Sequence, residues 1–281
     1  MIKKIIFSVS LLLVLLGIGF FTYKKPKPKT IIDSQISLSP SPIISPSPSP
    51  SPSPLSFAQM NALYGPCVYL PTLMYHHVED LNKAKTDGHS SLTVGTDIFR
   101  AQMEYLKARG YTSLSMQDLA AFFNSGTALP GKGVLLTFDD GYDDFYSDAY
   151  PILSSLGFKA TVFMATGLAD NPGYLSWSQI DNLTASGNVL MANHTWSHKG
   201  VGQDMQKEIS LADSQLAQHN ANIPKVFSYP FGYPTGKAEN YLSGLGYTLA
   251  FTTNPGSILC AKNRLSLPRT RIGNTPKLDK L

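Results

Sequence analysis

The sequence predicts an α/β domain built on a parallel sheet. From Phe57 onward, seven short apolar runs alternate with segments of helical periodicity, and no internal repeat is visible. Strands that alternate with helices in this way pair in parallel, in a sheet that is either open and doubly wound or closed as a barrel. With 43% hydrophobic residues, the chain has enough apolar side chains to bury a sizeable core.

Capping and stop signals set the predicted element boundaries. Thr96 opens a helix that stops at Gly110, and Ser115 with Asp118 forms a capping box at the start of the next helix. The apolar run 134–138 is typical of a strand buried on both faces. In chain order, the predicted strands are 68–75, 111–114, 134–138, 160–164, 189–193, 226–229 and 247–252, and the predicted helices are 96–109, from 116, 145–156, from 176, 203–220 and 237–245.

The predicted domain spans 57–281, and two further segments precede it. Residues 1–23 contain an uncharged run, 5–23, which at about 1.5 Å per helical residue matches the hydrocarbon thickness of a bilayer. We expect an uncleaved membrane anchor, because no A-x-A-like cleavage site is visible; the alternative is a cleaved signal and a secreted protein. Residues 24–56 are predicted to be a disordered Ser/Pro-rich linker that favours polyproline II and acts as a semi-rigid spacer.

Composition limits the class of function. Six lysines in residues 1–30 exceed the net charge of +4, so the rest of the chain is mildly acidic, which argues against a nucleic-acid partner. Two cysteines exclude a four-cysteine zinc site. Cys67 and Cys260 flank the first and last predicted strands and are neighbours if the barrel closes. In an oxidising exterior a disulfide would tie the two ends of the domain together; the alternative is two unpaired cysteines buried as small hydrophobes, and the sequence leaves both open.

Polar side chains follow several predicted strands at their carboxyl ends. His76 follows the first strand, Asp139 and Asp140 follow the third, and His194 follows the fifth. In sheets and barrels of this kind these ends share one face, where function resides. Adjacent carboxylates can take different roles, one binding a metal while the other acts as a base. The alternative is a strand-to-helix turn in which a carboxylate caps the next helix.

His194 and His198 form a second candidate pair. Their i,i+4 spacing can present both imidazoles on one side of a turn, as divalent metal binding requires. Two histidines and one carboxylate leave open positions for water and substrate, which is typical of a catalytic metal site. Such a pair is common on protein surfaces, so the interpretation depends on the aspartates at the same predicted edge.

Several motifs of the sequence resemble those of a known family. The motifs TFDDG at 137–141 and HTWSH at 194–198 resemble the first two motifs of the polysaccharide deacetylases, the carbohydrate esterase family 4 or NodB-homology domain. The resemblance covers roughly residues 70–275. The runs LMYHHV at 73–78 and SYPFG at 228–232 are similar to the poly-β-1,6-N-acetylglucosamine N-deacetylase branch, whose motifs are circularly permuted. The resemblance implies a distorted seven-stranded (β/α) barrel.

The resemblance also implies a role for each motif residue. The family's metal ligands correspond to Asp140, His194 and His198, for one divalent ion, with Zn²⁺ expected and Co²⁺ or Ni²⁺ as alternatives. Asp139 matches the general base that deprotonates the attacking water, and His76 matches the general acid that protonates the departing amine. The backbone N–H of Phe231 matches a donor to the oxyanion. The residues expected to contact the sugar are Tyr229, Trp196 and Tyr142.

Three positions depart from the family pattern or are given no role in the reaction. Ser228 stands where the family motif has an arginine that steadies the base, and Arg269 or Arg271 could replace it. His77 is interpreted as a packing or supporting neighbour rather than a ligand, and His89 is assigned no role.

We therefore expect a membrane-anchored, monomeric, metal-dependent N-deacetylase that acts on N-acetylglucosamine-containing polysaccharide outside the cell. The lysines at 24–29 would favour a cytoplasmic location by the positive-inside rule, and the expected function overrides them. One alternative is an O-deacetylase such as a xylan esterase, which would share every catalytic residue. The other is a non-catalytic glycan-binding protein on the same fold.

Overall fold

The computed structural model describes residues 54–202 and 204–279. The predicted anchor, 1–23, and nearly all of the predicted linker, 24–56, lie outside the described residues. Among the residues that are described, every helix is too short or too polar to span a bilayer. The described elements all belong to one compact unit.

Twelve strands and eight α-helices occur in the described ranges. The strands are β1 Cys67–Tyr69, β2 Thr72–Tyr75, β3 His77–Glu79, β4 Thr93–Gly95, β5 Thr112–Ser113, β6 Gly133–Phe138, β7 Ala160–Met164, β8 Val189–Asn193, β9 Val226–Ser228, β10 Leu249–Phe251, β11 Ile258–Cys260 and β12 Thr270–Arg271. The helices are α1 Phe57–Tyr64, α2 Leu81–Asp87, α3 Thr96–Ala108, α4 Met116–Ser125, α5 Tyr150–Leu156, α6 Trp177–Ala185, α7 Met205–Gln218 and α8 Gly236–Gly244.

A curled parallel sheet forms the centre of the domain. Its strands lie in the order β10-β9-β8-β7-β6-β2-β12, every neighbouring pair is parallel, and β5 pairs with the start of β6. The predicted parallel α/β sheet is therefore confirmed; with β5 it contains eight strands, one more than predicted, because β12 is absent from the predicted strands. The two end strands are not joined by a ladder: Leu267 bridges to Phe251, and the Arg269 N–H donates to the Asn254 carbonyl at 2.9 Å. Pro268 lacks an N–H and interrupts this edge, so the barrel is distorted.

The apolar core lies on both faces of the sheet. Strands β6 and β7 are buried along their whole length. In β7, Val162 and Met164 pack in one apolar cluster while Phe163, between them, packs in another. This alternation follows from the two-residue period of a strand. Because both faces are covered, polar side chains are placed at the ends of the strands rather than along them.

Most predicted elements are confirmed, and the departures have local causes. β7 and β8 have the predicted bounds, and the capping box of Ser115 and Asp118 is present at the start of α4. The predicted strand 68–75 divides into β1 and β2 at Pro71, which has no N–H to donate. The predicted helix 145–156 begins with a π-helical turn, Phe145–Ala149, before α5.

β1 leaves the main sheet and pairs with β11 in antiparallel register. This pairing sets Cys67 opposite Cys260, and the two cysteines form a disulfide. The bridged alternative is therefore confirmed. The bond links positions 193 residues apart and holds the beginning of the domain against its final strands.

A second small sheet, formed by β3 and β4, is absent from the predicted elements. Its parallel register pairs His77 with Thr93 and Glu79 with Gly95. α2 connects the two strands; Asp80 caps its start and Gly88, in the left-handed region, follows its end. The pairing places His77 and Glu79 beside the turn at His89.

Candidate active site

The carboxyl ends of the central strands open on one cleft of about 460 Å³. The residues that line it are His76, Leu92, Asp139, Asp140, His194, His198, Phe231, Tyr233, Thr253 and Arg271. All six residues predicted to be catalytic or metal-ligating are in this set. The strands β2, β6, β8 and β9 deliver them from positions up to 155 apart in the chain, between His76 and Phe231.

The turn after β6 gives its two aspartates different directions. Asp140 and Gly141 both have positive φ, 75° and 79°. A Cβ atom on Gly141 would lie 2.0 Å from Sδ of Met164, so only glycine fits here. The reversed backbone turns Asp140 toward the histidines, while Asp139 continues the strand and contacts Arg269. The predicted division between two adjacent carboxylates therefore has a geometric basis.

Asp140, His194 and His198 bring three donor atoms together. Oδ1 of Asp140 lies 3.3 Å from Nε2 of His194 and 3.1 Å from Nε2 of His198. The Nδ1 of His194 bonds to the Ser228 carbonyl at 2.7 Å, which leaves its Nε2 lone pair for a ligand. The Asp140 Oδ1 atom is buried and has no hydrogen-bond partner. Two imidazoles, one carboxylate and an unpartnered buried oxygen fit a divalent ion.

The charges of this cluster support one another. Burial raises the pKa of Asp140, but its contacts with His194 and His198 outweigh burial and hold that pKa well below its usual range. Burial lowers the pKa of His198, and its contact with the Asp140 carboxylate more than reverses the effect, so the pKa is raised. Asp140 is therefore the ionised anchor of the cluster at neutral pH.

Strained backbone is concentrated at this cleft. Of the seven non-glycine residues with positive φ in the described ranges, Asp140, His198 and Phe231 line the cleft, and a fourth, Thr195, directly follows His194. Such conformations persist only where the surroundings hold them in place. Beyond Phe231, a Cβ atom on Gly232 would lie 1.9 Å from Oγ1 of Thr253, so the glycine of the PFG sequence is required by packing.

Glu208 of α7 holds the turn that carries His198 and is absent from the predicted site residues. Its side chain is 2% exposed and accepts hydrogen bonds from the Ser197 N–H at 2.7 Å and the Ser197 hydroxyl at 2.8 Å. A sequence signal existed, because Glu208 interrupts the apolar face of α7 next to Met205 and Ile209. A carboxylate on such a face needs a buried polar partner.

Arg269 forms a buried two-pronged ion pair with Asp139. Nη1 of Arg269 lies 2.7 Å from Oδ1, and Nη2 lies 2.6 Å from Oδ2. Arg269 is 0% exposed and Asp139 is 4% exposed. Burial raises the pKa of Asp139, but the charge and hydrogen bonds of Arg269 outweigh burial and keep the pKa below its usual value. Asp139 is therefore held as a carboxylate able to accept a proton.

Arg269 also takes the place of the family arginine that is absent at Ser228. Its Nη2 donates to the Ser228 hydroxyl at 2.9 Å, and its Nε donates to the Thr252 carbonyl at 2.9 Å. The small serine leaves room for a guanidinium that arrives from just before β12. Of the two candidate replacements, Arg269 therefore contacts the aspartate, whereas Arg271 lines the cleft wall.

His76 lies at the end of β2 and lines the cleft together with the two aspartates. Burial lowers the pKa of His76, and the charges of Asp139 and Asp140 offset burial only in part. A proton on His76 is therefore held weakly. This suits a group that must give up its proton during a reaction.

The structure corrects Tyr229 as a substrate contact, and neither Trp196 nor Tyr142 is among the residues that line the cleft. Tyr229 is fully buried and its hydroxyl donates to the Leu265 carbonyl at 2.8 Å, because the strand pleat turns it into the core. Trp196 packs against Gly167 instead of lining the cleft. Tyr142 stacks on His77, with ring centroids 3.6 Å apart, and lines a neighbouring cavity.

The aromatic side chains that do reach the cleft are Phe231, 60% exposed, and Tyr233, 76% exposed. Both follow the YP dipeptide at the end of β9. Phe231 also packs edge-on against the His198 ring at 4.9 Å. An exposed aromatic ring beside a polar cleft is a suitable surface for a sugar ring.

This fold and cleft define the class of protein, and comparison with known proteins agrees. The polysaccharide deacetylase family model matches residues 126–250. YxkH of Bacillus subtilis strain 168, which carries the polysaccharide deacetylase name, is 30% identical over 207 residues, covering 72% of this chain and 71% of YxkH. The chain belongs to the polysaccharide deacetylase family and is a hydrolase of the carbohydrate esterase 4 type.

Two further relatives place the chain within this family. The Escherichia coli K12 poly-beta-1,6-N-acetyl-D-glucosamine N-deacetylase is 27% identical over 252 residues, covering 73% of this chain but only 37% of that protein. The Streptococcus pyogenes deacetylase PplD, solved in complex with acetate, superposes with a TM-score of 0.68 at 32% identity, covering 74% of this chain and 95% of PplD.

Proposed function

We propose that this chain is a metal-dependent N-deacetylase that removes acetyl groups from N-acetylglucosamine-containing polysaccharide. The observation that carries the proposal is the pairing, in one cleft, of an ionised carboxylate held by Arg269 with a separate Asp140–His194–His198 cluster. The first arrangement provides a proton acceptor and the second provides ligands for a divalent ion. The acetate-bound PplD structure and the name of the E. coli relative support the substrate class.

Asp140, His194 and His198 would hold the ion. Bound there, a divalent ion supplies Lewis-acid chemistry, which lowers the pKa of water and polarises a carbonyl. The carboxylate and the hydrogen bond from His194 to the Ser228 carbonyl keep the ligands oriented. Zn²⁺ is the expected ion for this donor set, with Co²⁺ or Ni²⁺ as alternatives.

The remaining residues divide the proton transfers. Asp139, fixed by Arg269, accepts the proton of the attacking water. His76 donates a proton to the departing nitrogen, which is a poor leaving group when unprotonated. The backbone N–H of Phe231, on its left-handed turn at the cleft, donates to the oxygen on which negative charge develops. An amide substrate depends on these roles more than an ester does, because an ester oxygen departs more readily than an amine.

We also propose that the domain works outside the cell, anchored through residues 1–23. The Cys67–Cys260 disulfide supports this location, because such bonds persist in oxidising compartments. The apolar, lysine-flanked run at 5–23 supports anchoring. Fractionation of cells, followed by protease treatment of intact cells, tests both: the anchored exterior enzyme is membrane-bound and protease-accessible.

The proposed activity is tested by acetate release from a panel of substrates. The panel contains β-1,6-linked N-acetylglucosamine oligomers, chitin oligomers and acetylated xylan. We expect release from an N-acetylated member, abolished by a chelator and restored by Zn²⁺ or Co²⁺. Release from xylan alone would assign the chain as an O-deacetylase, and binding of oligomers without any release would identify a glycan-binding protein.

A further inference from the structure

A second cluster of histidine and carboxylate side chains lies at the sheet of β3 and β4. It consists of His77, Glu79 and His89, each of which offers a donor atom within 4.8 Å of those of the other two. Nδ1 of His89 lies 2.8 Å from Oε1 of Glu79, and Nδ1 of His77 lies 3.9 Å from the same oxygen. Together with the Asp140 cluster, it is one of two such groups in the described part of the chain.

Glu79 is the centre of this cluster. Its side chain is 4% exposed, and its Oε2 accepts a hydrogen bond from Nζ of Lys83 at 2.7 Å. The other oxygen, Oε1, is buried and has no hydrogen-bond partner, although Nδ1 of His89 is only 2.8 Å away. A buried carboxylate oxygen without a partner is unfavourable. Oε1 is therefore the atom of this cluster that is available to a bound cation.

The same arrangement occurs at the candidate active site. There the unpartnered buried oxygen is Oδ1 of Asp140, with Nε2 of His194 and His198 at 3.3 and 3.1 Å. Glu79 with its two histidines repeats that combination of one orphaned carboxylate oxygen and two imidazoles. The repetition points to the same ligand chemistry at both places.

The surroundings hold the cluster in position and favour a cation. Asp144, which is 7% exposed, contacts Nδ1 of His77 at 2.5 Å and accepts the Val78 N–H at 3.0 Å. This contact occupies Nδ1 of His77, so Nε2 is the atom that this ring would offer to an ion, as in other imidazole ligands that a carboxylate orients. Lys83 is the nearby cation, and it is shared between Glu79 and Asp87. Glu79 and Asp144 are both buried, and the lysine that contacts Glu79 is exposed and shared with Asp87.

The histidine rings are packed and accessible from one side. His77 lies between the His89 ring, with centroids 4.0 Å apart, and the Tyr142 ring, at 3.6 Å. A cavity of about 300 Å³ opens beside these rings and is lined also by Asp143 and Tyr174. This cavity shares no lining residue with the catalytic cleft, so the two histidine rings are reached by a separate route.

We propose that His77, Glu79 and His89 form a second divalent-cation site, distinct from the Asp140 cluster. Two imidazoles and one carboxylate favour Zn²⁺ or a neighbouring transition metal over Mg²⁺ or Ca²⁺. An ion bound there joins β3 to the turn that follows α2. Because His77 directly follows His76, it also fixes the segment that carries the proposed general acid. The proposal rests on this cluster alone and stands whether or not the chain is an N-deacetylase.

Zinc stoichiometry tests the proposal. The full chain is stripped with a chelator, dialysed against micromolar ZnCl₂ and analysed by atomic emission. We expect two equivalents in the wild type and one equivalent in each of His89→Ala, Glu79→Gln and His198→Ala. His219→Ala is the matched control, because His219 also contacts a carboxylate, Asp181 at 2.7 Å, and should retain two equivalents.

Thermal unfolding with and without Zn²⁺ provides a second measurement. Zn²⁺ is expected to raise the melting temperature of wild type more than that of His89→Ala, because binding to the native state stabilises it. One equivalent in the wild type, kept by His89→Ala and lost in His198→Ala, would refute the second site and leave the catalytic one intact. Two equivalents retained in both His89→Ala and Glu79→Gln would also refute it, because the second ion would then bind elsewhere.

Discussion

Replacing Arg269 is expected to be the most damaging single change at the cleft. Arg269→Met keeps the length of the side chain but removes both hydrogen bonds to Asp139 and those to Thr137, Ser228 and Thr252. Breaking a buried ion pair from one side costs about 3–5 kcal/mol, because the remaining charge is left unpaired. That loss is a large fraction of the free energy of unfolding of a typical domain, about 5–15 kcal/mol.

The pH dependence follows from the same pair. Because Arg269 keeps the pKa of Asp139 below its unfolded value, the pair stabilises the protein at neutral pH, and this stability is lost as the pH falls through the folded-state pKa. Arg269→Lys retains a positive charge but cannot form the two parallel hydrogen bonds to the Asp139 carboxylate. In this variant the pKa of Asp139 rises, so the acidic limb of kcat/KM moves to higher pH.

A double-mutant cycle measures the interaction. Urea unfolding at neutral pH is compared for wild type, Asp139→Asn, Arg269→Met and the double variant. The double variant leaves neither charge buried alone, so it should lose less stability than the two single losses combined. Additivity within about 0.5 kcal/mol, or a loss below about 1 kcal/mol in Arg269→Met, would refute this account of the pair.

Three further outcomes are expected. Replacing Cys67 and Cys260 by serine should lower the free energy of unfolding by about 2–5 kcal/mol, measured against oxidised wild type, and thiol titration of the unfolded, unreduced wild type should find none. Glu208→Ala should weaken zinc binding at the catalytic cluster by about 10–100-fold, because the turn that carries His198 loses its support. Glu208→Gln should recover part of the affinity. Equal zinc affinity in wild type and both variants would contradict this role of Glu208. His76→Ala should reduce turnover of N-acetylglucosamine oligomers far more than turnover of an activated aryl acetate, with metal content unchanged; equal losses would remove His76 from the mechanism.

Much of the sheet could be predicted because its strands are encoded locally. β7 and β8 are short apolar runs bounded by turn residues, and their ends match the prediction. β3, β4 and β12 have two or three residues each, and their pairing depends on partners that no local pattern specifies. The division of the first predicted strand at Pro71 was visible in the sequence as a proline inside a strand pattern.

The candidate site, like the sheet, could be predicted only in part. Asp139 and His194 follow apolar strands, so their shared edge could be predicted from the alternation of elements. Arg269 lies on an irregular segment and contacts Asp139, which is 130 residues away in the chain. The sequence therefore identifies Arg269 and Arg271 as candidate partners of the base but does not decide between them. Tyr229 was predicted to contact the sugar but faces the core. A residue at a strand end can face either the cleft or the core, and the packing of the whole domain decides the direction.

The most direct test of the account is metal content and acetate release measured together in Asp139→Asn. The amide is close in shape, cannot accept a proton and leaves the three proposed metal ligands unchanged. The account predicts full metal occupancy of the catalytic cluster with turnover reduced by about 10²–10⁴-fold. Asp143→Asn, an exposed carboxylate two residues beyond the catalytic turn, is the control and should keep wild-type turnover. Near wild-type turnover in metal-replete Asp139→Asn would contradict the central claim.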